Sequence, residues 1–195
     1  MLRDIVAYAK YPLWLLSGKR PPDNYVRKWG RLRAISREQG CRSFIETGTF
    51  YGQTVNRLRR HFDCIVSIEL YNPLFEYNRK AFRKCKNVRM IHGDSASRLG
   101  EAIESTSGNI LYWLDGHYSG EGTAIGESIS PIYMELGIIR ERYRKGDCIL
   151  IDDARMFTGE GGYPPIGEVI EILKGIDLGF DVSIDGDCIV ARWKR

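Results

Sequence analysis

The 195 residues suit one α/β domain, and the 43% hydrophobic and 28% charged fractions leave ample apolar material for a core. The formal charge of +4 is that of an ordinary soluble domain, and its excess near the N-terminus (Arg20, Arg27, Lys28, Arg31, Arg33, Arg37) reads as solvated surface; neither the dense basic stripe nor the binding module of a nucleic-acid binder is visible. The five cysteines are odd in number and form no CxxC pair, which argues against disulfides or a zinc site and for a reducing cytoplasmic setting.

Along the chain, Ile5 to Leu16 is apolar but carries Lys10 and Pro12, so it is too short and interrupted for a membrane span or a signal core. It reads as a packing helix or a surface anchor, in a leader that Pro21-Pro22 ends. Asp23 or Asn24 should cap a helix to about Glu38, with Val26, Trp29, Leu32 and Ile35 at helical spacing and Gly40 as its stop. A regular alternation then begins. Strands are expected at Ser43–Thr47, Cys64–Leu70, Val88–His92, Asn109–Leu114 and Cys148–Ile151. Helices are expected at Gln53–Phe62, from Asn72-Pro73 onward, at Ala96–Glu104, from Ser130-Pro131 to about Tyr143, and from Pro165 to about Lys174. The glycine-bearing segment His117 to Ile129 reads as a loop, either a lid or a connector. Phe180–Ile184 and Cys188–Trp193 flank Asp185-Gly186-Asp187, a strong hairpin signal. Strands alternating with helices imply crossovers and a parallel sheet, with one strand reversed by the closing hairpin.

Strand after strand ends in an acid: Glu46, Glu69, Asp94, Asp115, then Asp152-Asp153. In open α/β sheets ligands bind outside the carboxyl ends of the strands. Carboxylates sharing that edge would repel one another unless something cationic or hydroxyl-rich sat among them. After the first strand, Glu46-Thr47-Gly48-Thr49-Phe50-Tyr51-Gly52 lets the backbone turn tightly before a helix. Glu69 lies 23 residues beyond Glu46, where an acid can hold both hydroxyls of a ribose.

Through these residues the chain resembles the class I S-adenosylmethionine-dependent methyltransferases. The matching segments are the E-x-G-x-x-x-G of Glu46 to Gly52, Ser67-Ile68-Glu69-Leu70, and His92-Gly93-Asp94-Ser95, and the likeness covers roughly residues 40 to 195. It implies a Rossmann-like, doubly wound, mostly parallel seven-stranded sheet with a C-terminal antiparallel hairpin. Residues 1–40 would be a helical extension and 41–195 the cofactor-binding domain. It further implies that Glu46, Thr47, Gly48, Thr49 and Gly52 surround the methionine moiety, Glu69 the ribose, Asp94 and Ser95 the adenine, and that Asp115 also touches the cofactor. Many family members carry another glycine in the middle of the first motif, where this chain has Phe50.

Within that class, Leu114-Asp115-Gly116-His117 with Ile151-Asp152-Asp153 resembles the macrocin O-methyltransferase and cephalosporin-hydroxylase-like enzymes, in which acids at these strand ends bind a divalent metal. Two routes to deprotonating an acceptor hydroxyl follow. Mg²⁺ on Asp115, Asp152 and Asp153 would lower its pKa; alternatively His117, with Asp115 beside it, would act as general base. If the fifth strand persists, Asp152 and Asp153 point to opposite sides, and one of them caps or pairs with Arg155. The expected acceptor is a sugar or other small hydroxylated metabolite, with a homodimer possible. Two other readings stay open: a nicotinamide-dependent oxidoreductase, disfavoured by the missing G-x-G-x-x-G, and a non-catalytic module on a degenerate methyltransferase fold.

Overall fold

In a computed structural model, the structure describes residues 2–116 and 130–194. The expected lid and His117 therefore lie outside the described residues. Helices α1 (Leu2–Leu16) and α2 (Tyr25–Gln39) precede the sheet. Then come β1 (Ser43–Thr47), α3 (Gln53–Leu58), β2 (Cys64–Glu69), α4 (Asn72–Phe82), β3 (Val88–His92), α5 (Ser95–Glu104) and β4 (Ile110–Leu114). After the undescribed segment follow α6 (Ile132–Arg142), β5 (Cys148–Ile151), a 3₁₀ turn at Ala154–Met156, α7 (Ile166–Ile176), β6 (Phe180–Asp185) and β7 (Cys188–Trp193).

Among the described residues the strands form one seven-stranded sheet in the order β3-β2-β1-β4-β5-β7-β6. β7 runs antiparallel to both of its neighbours, and the other pairings are parallel. The hairpin turns through Gly186 and Asp187, because Asp185 pairs with Cys188. The strand order reverses at β1: the chain steps outward to β2 and β3, then returns to place β4 on the other side. A cleft opens at such a switch point.

Both faces of the sheet are covered, which is why β1, β4 and β5 read as unbroken buried runs. Period-two alternation sorts their side chains into two layers. Ile45, Tyr112, Leu114 and Ile149 pack with Leu99 and Ile103 of α5, Leu136 of α6 and Leu173 of α7. Phe44, Leu111, Trp113 and Leu150 pack with Leu32 and Ile35 of α2 and with Val55 and Leu58 of α3. So α2, although N-terminal to the sheet, shares its core.

Some expected helix ends are met and others shift, each for a local reason. Asn24 is the cap of α2, its side chain accepting from the Val26 amide at 2.9 Å, while Asp23 pairs with Arg31 at 2.5 Å. Gly40 closes α2 in the left-handed region at φ 70°. α3 stops at Leu58, short of Phe62, whose ring turns in to stack on Phe44 at 5.1 Å. Tyr71 takes the cap position of α4, so Asn72 begins that helix. Residues 2–16 form a helix with Pro12 inside it. α1 touches α2 through Tyr8 on Trp29 (6.0 Å) and a bond from Asn24 Nδ2 to the Ala7 carbonyl (3.2 Å), and leaves Ile5, Leu13 and Leu16 exposed. Among the described residues no helix is long and apolar enough to cross a membrane. All the cysteines are free, with Cys41, Cys148 and Cys188 buried.

Leu32 is fully buried between α2 and the sheet. Truncation to alanine should cost about 2–5 kcal/mol of unfolding free energy. Urea denaturation should show this as a single transition shifted to lower denaturant. A negligible loss would mean that α2 contributes nothing to the core.

Candidate functional site

The site is set out by strand register. Thr47 of β1 pairs with Ile68 of β2 and with Leu114 of β4, and Leu114 pairs with Ile151 of β5. The next residue on each strand is therefore Gly48, Glu69, Asp115 or Asp152, all at one level of the carboxyl edge. The ladder continues one step past the strands and pins them there. The Gly48 amide donates to Ile68 O (3.0 Å), Asp115 to Thr47 O (3.2 Å) and Asp152 to Leu114 O (3.0 Å). Tyr25, Glu46, Gly48, Thr49, Tyr51 and Asp115 line one cleft at this edge.

The loop after β1 needs its glycines. Gly48 has φ 79°, and a side chain there would collide with the Asp115 carbonyl; Gly52 has φ 69°, and a side chain would strike Asn78 and the Phe82 ring. Phe50, at the position where related loops often have glycine, adopts φ 50°. A left-handed residue other than glycine costs about 1–2 kcal/mol. The cost is offset on both sides of the residue. The Phe50 amide donates to Glu69 Oε2 at 2.8 Å, and its carbonyl accepts from Asn78 Nδ2 at 2.5 Å. The missing glycine therefore leaves the loop closed and glycine-like. Asn78, on α4, was not evident from the sequence.

Glu46 is buried beneath this loop. Ser67 donates to its Oε2 at 2.6 Å, and Thr49 in turn bonds Ser67 at 2.6 Å. Burial pushes the Glu46 carboxyl well above the usual carboxylate range, against the pull of Ser67 and Thr54, and the charges of Asp115 and Glu69 add to the rise. Glu69 accepts from two backbone amides, Phe50 and Tyr71 (2.9 Å). Burial nevertheless raises its pKa. Thr47 is buried, its hydroxyl 3.3 Å from the Asp115 amide. Asp94 gives Oδ1 to the Ala96 amide (2.9 Å) as the cap of α5, and Ser95 begins that helix.

The three candidate metal ligands do converge. Oxygens of Asp115, Asp152 and Asp153 lie within 4.8 Å of one another. They converge because β5 ends at Ile151 and Asp153 turns left-handed at φ 53°, so the strand alternation that would separate the two aspartates has stopped. Asp153 also pairs with Arg155 at 2.7 Å, as the sequence allowed.

What the sequence reading missed stands among them. Lys28, counted above as solvated surface, is buried, and its Nζ is ion-paired with Asp152 Oδ2 and lies 3.9 Å from Asp153 Oδ1. Burial opposes its charge, but Asp152, Asp115 and Asp153 outweigh burial and hold its pKa above normal. Burial, then the charge of Asp115, pushes Asp152 above the usual carboxylate range, while Lys28 pulls it back. Arg31 is likewise buried, bonded to Asp23 and to Asp185 (2.8 Å). One signal was legible. Tyr25, Lys28, Trp29 and Leu32 share a helical stripe, so Lys28 lies on the face of α2 that must pack. His61 bonds Ser36 at 2.6 Å, and His92 lies 3.1 Å from the Leu70 carbonyl.

No known family profile matches the sequence, and no curated protein matches it. Solved structures do match in fold. One is a Podospora anserina methyltransferase bound to S-adenosylhomocysteine, with 17% identity, 100% of this chain and 95% of that one covered, and TM-score 0.60. Another is the O-methyltransferase TomG of Streptomyces achromogenes, involved in tomaymycin synthesis and bound to S-adenosylmethionine, with 15% identity, 87% and 80% covered, and TM-score 0.64. A third is a Bacillus cereus O-methyltransferase bound to S-adenosylhomocysteine, with 14% identity, 96% and 90% covered, and TM-score 0.63. This chain has the class I S-adenosylmethionine-dependent methyltransferase fold.

The raised pKa of Glu46 sets a sign for its effect on stability. A carboxyl whose folded pKa exceeds its unfolded value of about 4.3 stabilises fully below that value, and loses the contribution as pH climbs toward the folded pKa. In the ligand-free protein, Glu46→Gln should therefore melt higher than the parent at pH 8, with the gap narrowing toward pH 5. A gap that does not change with pH would contradict ionisation of a buried Glu46.

Proposed function

We propose that this chain is an S-adenosylmethionine-dependent methyltransferase that methylates a hydroxyl of a small acceptor, such as a sugar. The observation that carries the reading is the alignment of Gly48, Glu69 and Asp115 at one level of the sheet's carboxyl edge, where Glu46, Gly48 and Asp115 line a cleft. The donor chemistry fits the cofactor. S-adenosylmethionine bears a sulfonium and an ammonium against one carboxylate, and a net cation suits a rim of acids. A nicotinamide dinucleotide brings an anionic diphosphate to the same loop, where the acids would repel it.

In this reading Glu46 and the Thr47–Gly52 loop hold the methionine part, with Glu46 facing its ammonium. Glu69 takes the ribose hydroxyls, Asp94 and Ser95 flank the adenine, and Asp115 lies between cofactor and acceptor. Bound there, the cofactor would supply an activated methyl group. The protein's part is then mostly alignment, worth up to ~7–11 kcal/mol in favourable cases, together with removal of the hydroxyl proton. His117 is the general base in this reading, histidine being the side chain type that exchanges protons near neutral pH. The Mg²⁺ route does not fit the residues present: Lys28 already sits in the aspartate cluster, so no step is assigned to a metal.

Titration calorimetry tests this. S-adenosylhomocysteine should bind, and NADH should not. Glu69→Ala should weaken S-adenosylhomocysteine by about 1.5–3 kcal/mol, the worth of hydrogen bonds to a charged group. NADH binding without S-adenosylhomocysteine binding would overturn the assignment in favour of an oxidoreductase, and binding of neither would favour a non-catalytic module.

A further inference from the structure

The Asp115, Asp152 and Asp153 carboxylates gather as a hard-metal site gathers, with oxygens within 4.8 Å of one another. A divalent ion there would need most of these oxygens free to face it, with waters completing the shell. They are not free. Asp152 Oδ2 is ion-paired with Lys28, and Asp153 Oδ1 has the Lys28 Nζ at 3.9 Å and Arg155 Nη1 at 2.7 Å. The Lys28 side chain is only 11% exposed and that of Asp152 is 0% exposed, so water does not substitute for the pairing.

The ammonium is also built in from its other sides. The rings of Tyr25 and Trp113 lie 5.5 and 5.9 Å from Nζ, within cation–π range. Its stem rises from α2, which is capped by Asn24 at one end and by Gly40 at the other, with Leu32 anchored in the core one turn on. Swinging Lys28 aside would leave buried carboxylates uncompensated, and a metal beside it would meet a like charge at close range. Asp152 Oδ1 is buried with no hydrogen-bond partner among the described residues.

We propose that Lys28 is a tethered replacement for a divalent cation: its ammonium offsets the charge of the Asp115–Asp152–Asp153 cluster, and the chain functions without a metal. As a statement about transfer it rests on the methyltransferase reading; as a statement about cation binding it does not. During transfer the acceptor oxygen's electron pair makes the new O–CH₃ bond, the C–S pair stays on sulfur, and the hydroxyl proton goes to a base. Lys28 keeps its protons throughout and contributes fixed positive charge.

The experiment is a Mn²⁺ titration followed by electron paramagnetic resonance, in which bound ions lose the free-ion signal. The parent and Lys28→Arg should leave that signal intact at millimolar metal. Lys28→Met, which keeps the length and removes the charge, should attenuate it, and adding Asp152→Asn should restore it. Micromolar Mn²⁺ binding by the parent that Asp152→Asn abolishes would overturn the proposal. That comparison decides the matter even if Lys28→Met fails to fold. Calorimetry with S-adenosylhomocysteine in EDTA separates the two claims: failure to bind sinks the methyltransferase reading and leaves the Mn²⁺ result standing.

Discussion

The constraint on which the site depends is the hydrogen-bond register of four parallel strands. Thr47, Ile68, Leu114 and Ile151 are locked side by side, so the residue after each is delivered to the same height. Residues far apart in sequence thus share one rim without any loop having to place them. A slip of one residue would turn each acid to the opposite face of the sheet. Both faces are buried, so such a slip would also drive Glu46 or Glu69 into an apolar layer, and the core itself holds the register.

Bringing carboxylates together in a poorly solvated rim raises the free energy of their charged forms. The molecule answers locally and differently at each point. Hydroxyls of Ser67 and Thr54 reach Glu46, and backbone amides of Phe50 and Tyr71 reach Glu69. An ammonium reaches Asp152, and a guanidinium reaches Asp153. The rim therefore divides. On the β1–β2 side the acids are met by neutral donors, while on the β5 side a cation is already in place. The two sides differ because of which partner each acid received.

Much of the fold was legible because its signals are local. The strands from β1 to β5 could be read from short apolar runs, and Gly40, Asp94 and Gly186 mark ends and turns through their own backbone chemistry. The carboxylates of the rim were legible too, since a strand end followed by an acid is a one-dimensional pattern. Boundaries failed where tertiary contact competed with periodicity. Phe62 left the helical pattern to stack on Phe44.

By itself, the sequence determined the order and type of the elements and the acids that terminate the strands, because hydrophobic period and turn chemistry are properties of neighbouring residues. Only the tertiary structure decided what those acids face. Lys28 and Asp152 are 124 residues apart, and although the α2 stripe marks Lys28 as inward-facing, nothing in either neighbourhood names its partner. It arises because α2 packs across β4 and β5 with its charged residue turned inward. Which charge meets which is a property of packing, and that same packing converts an apparent metal site into an ion pair.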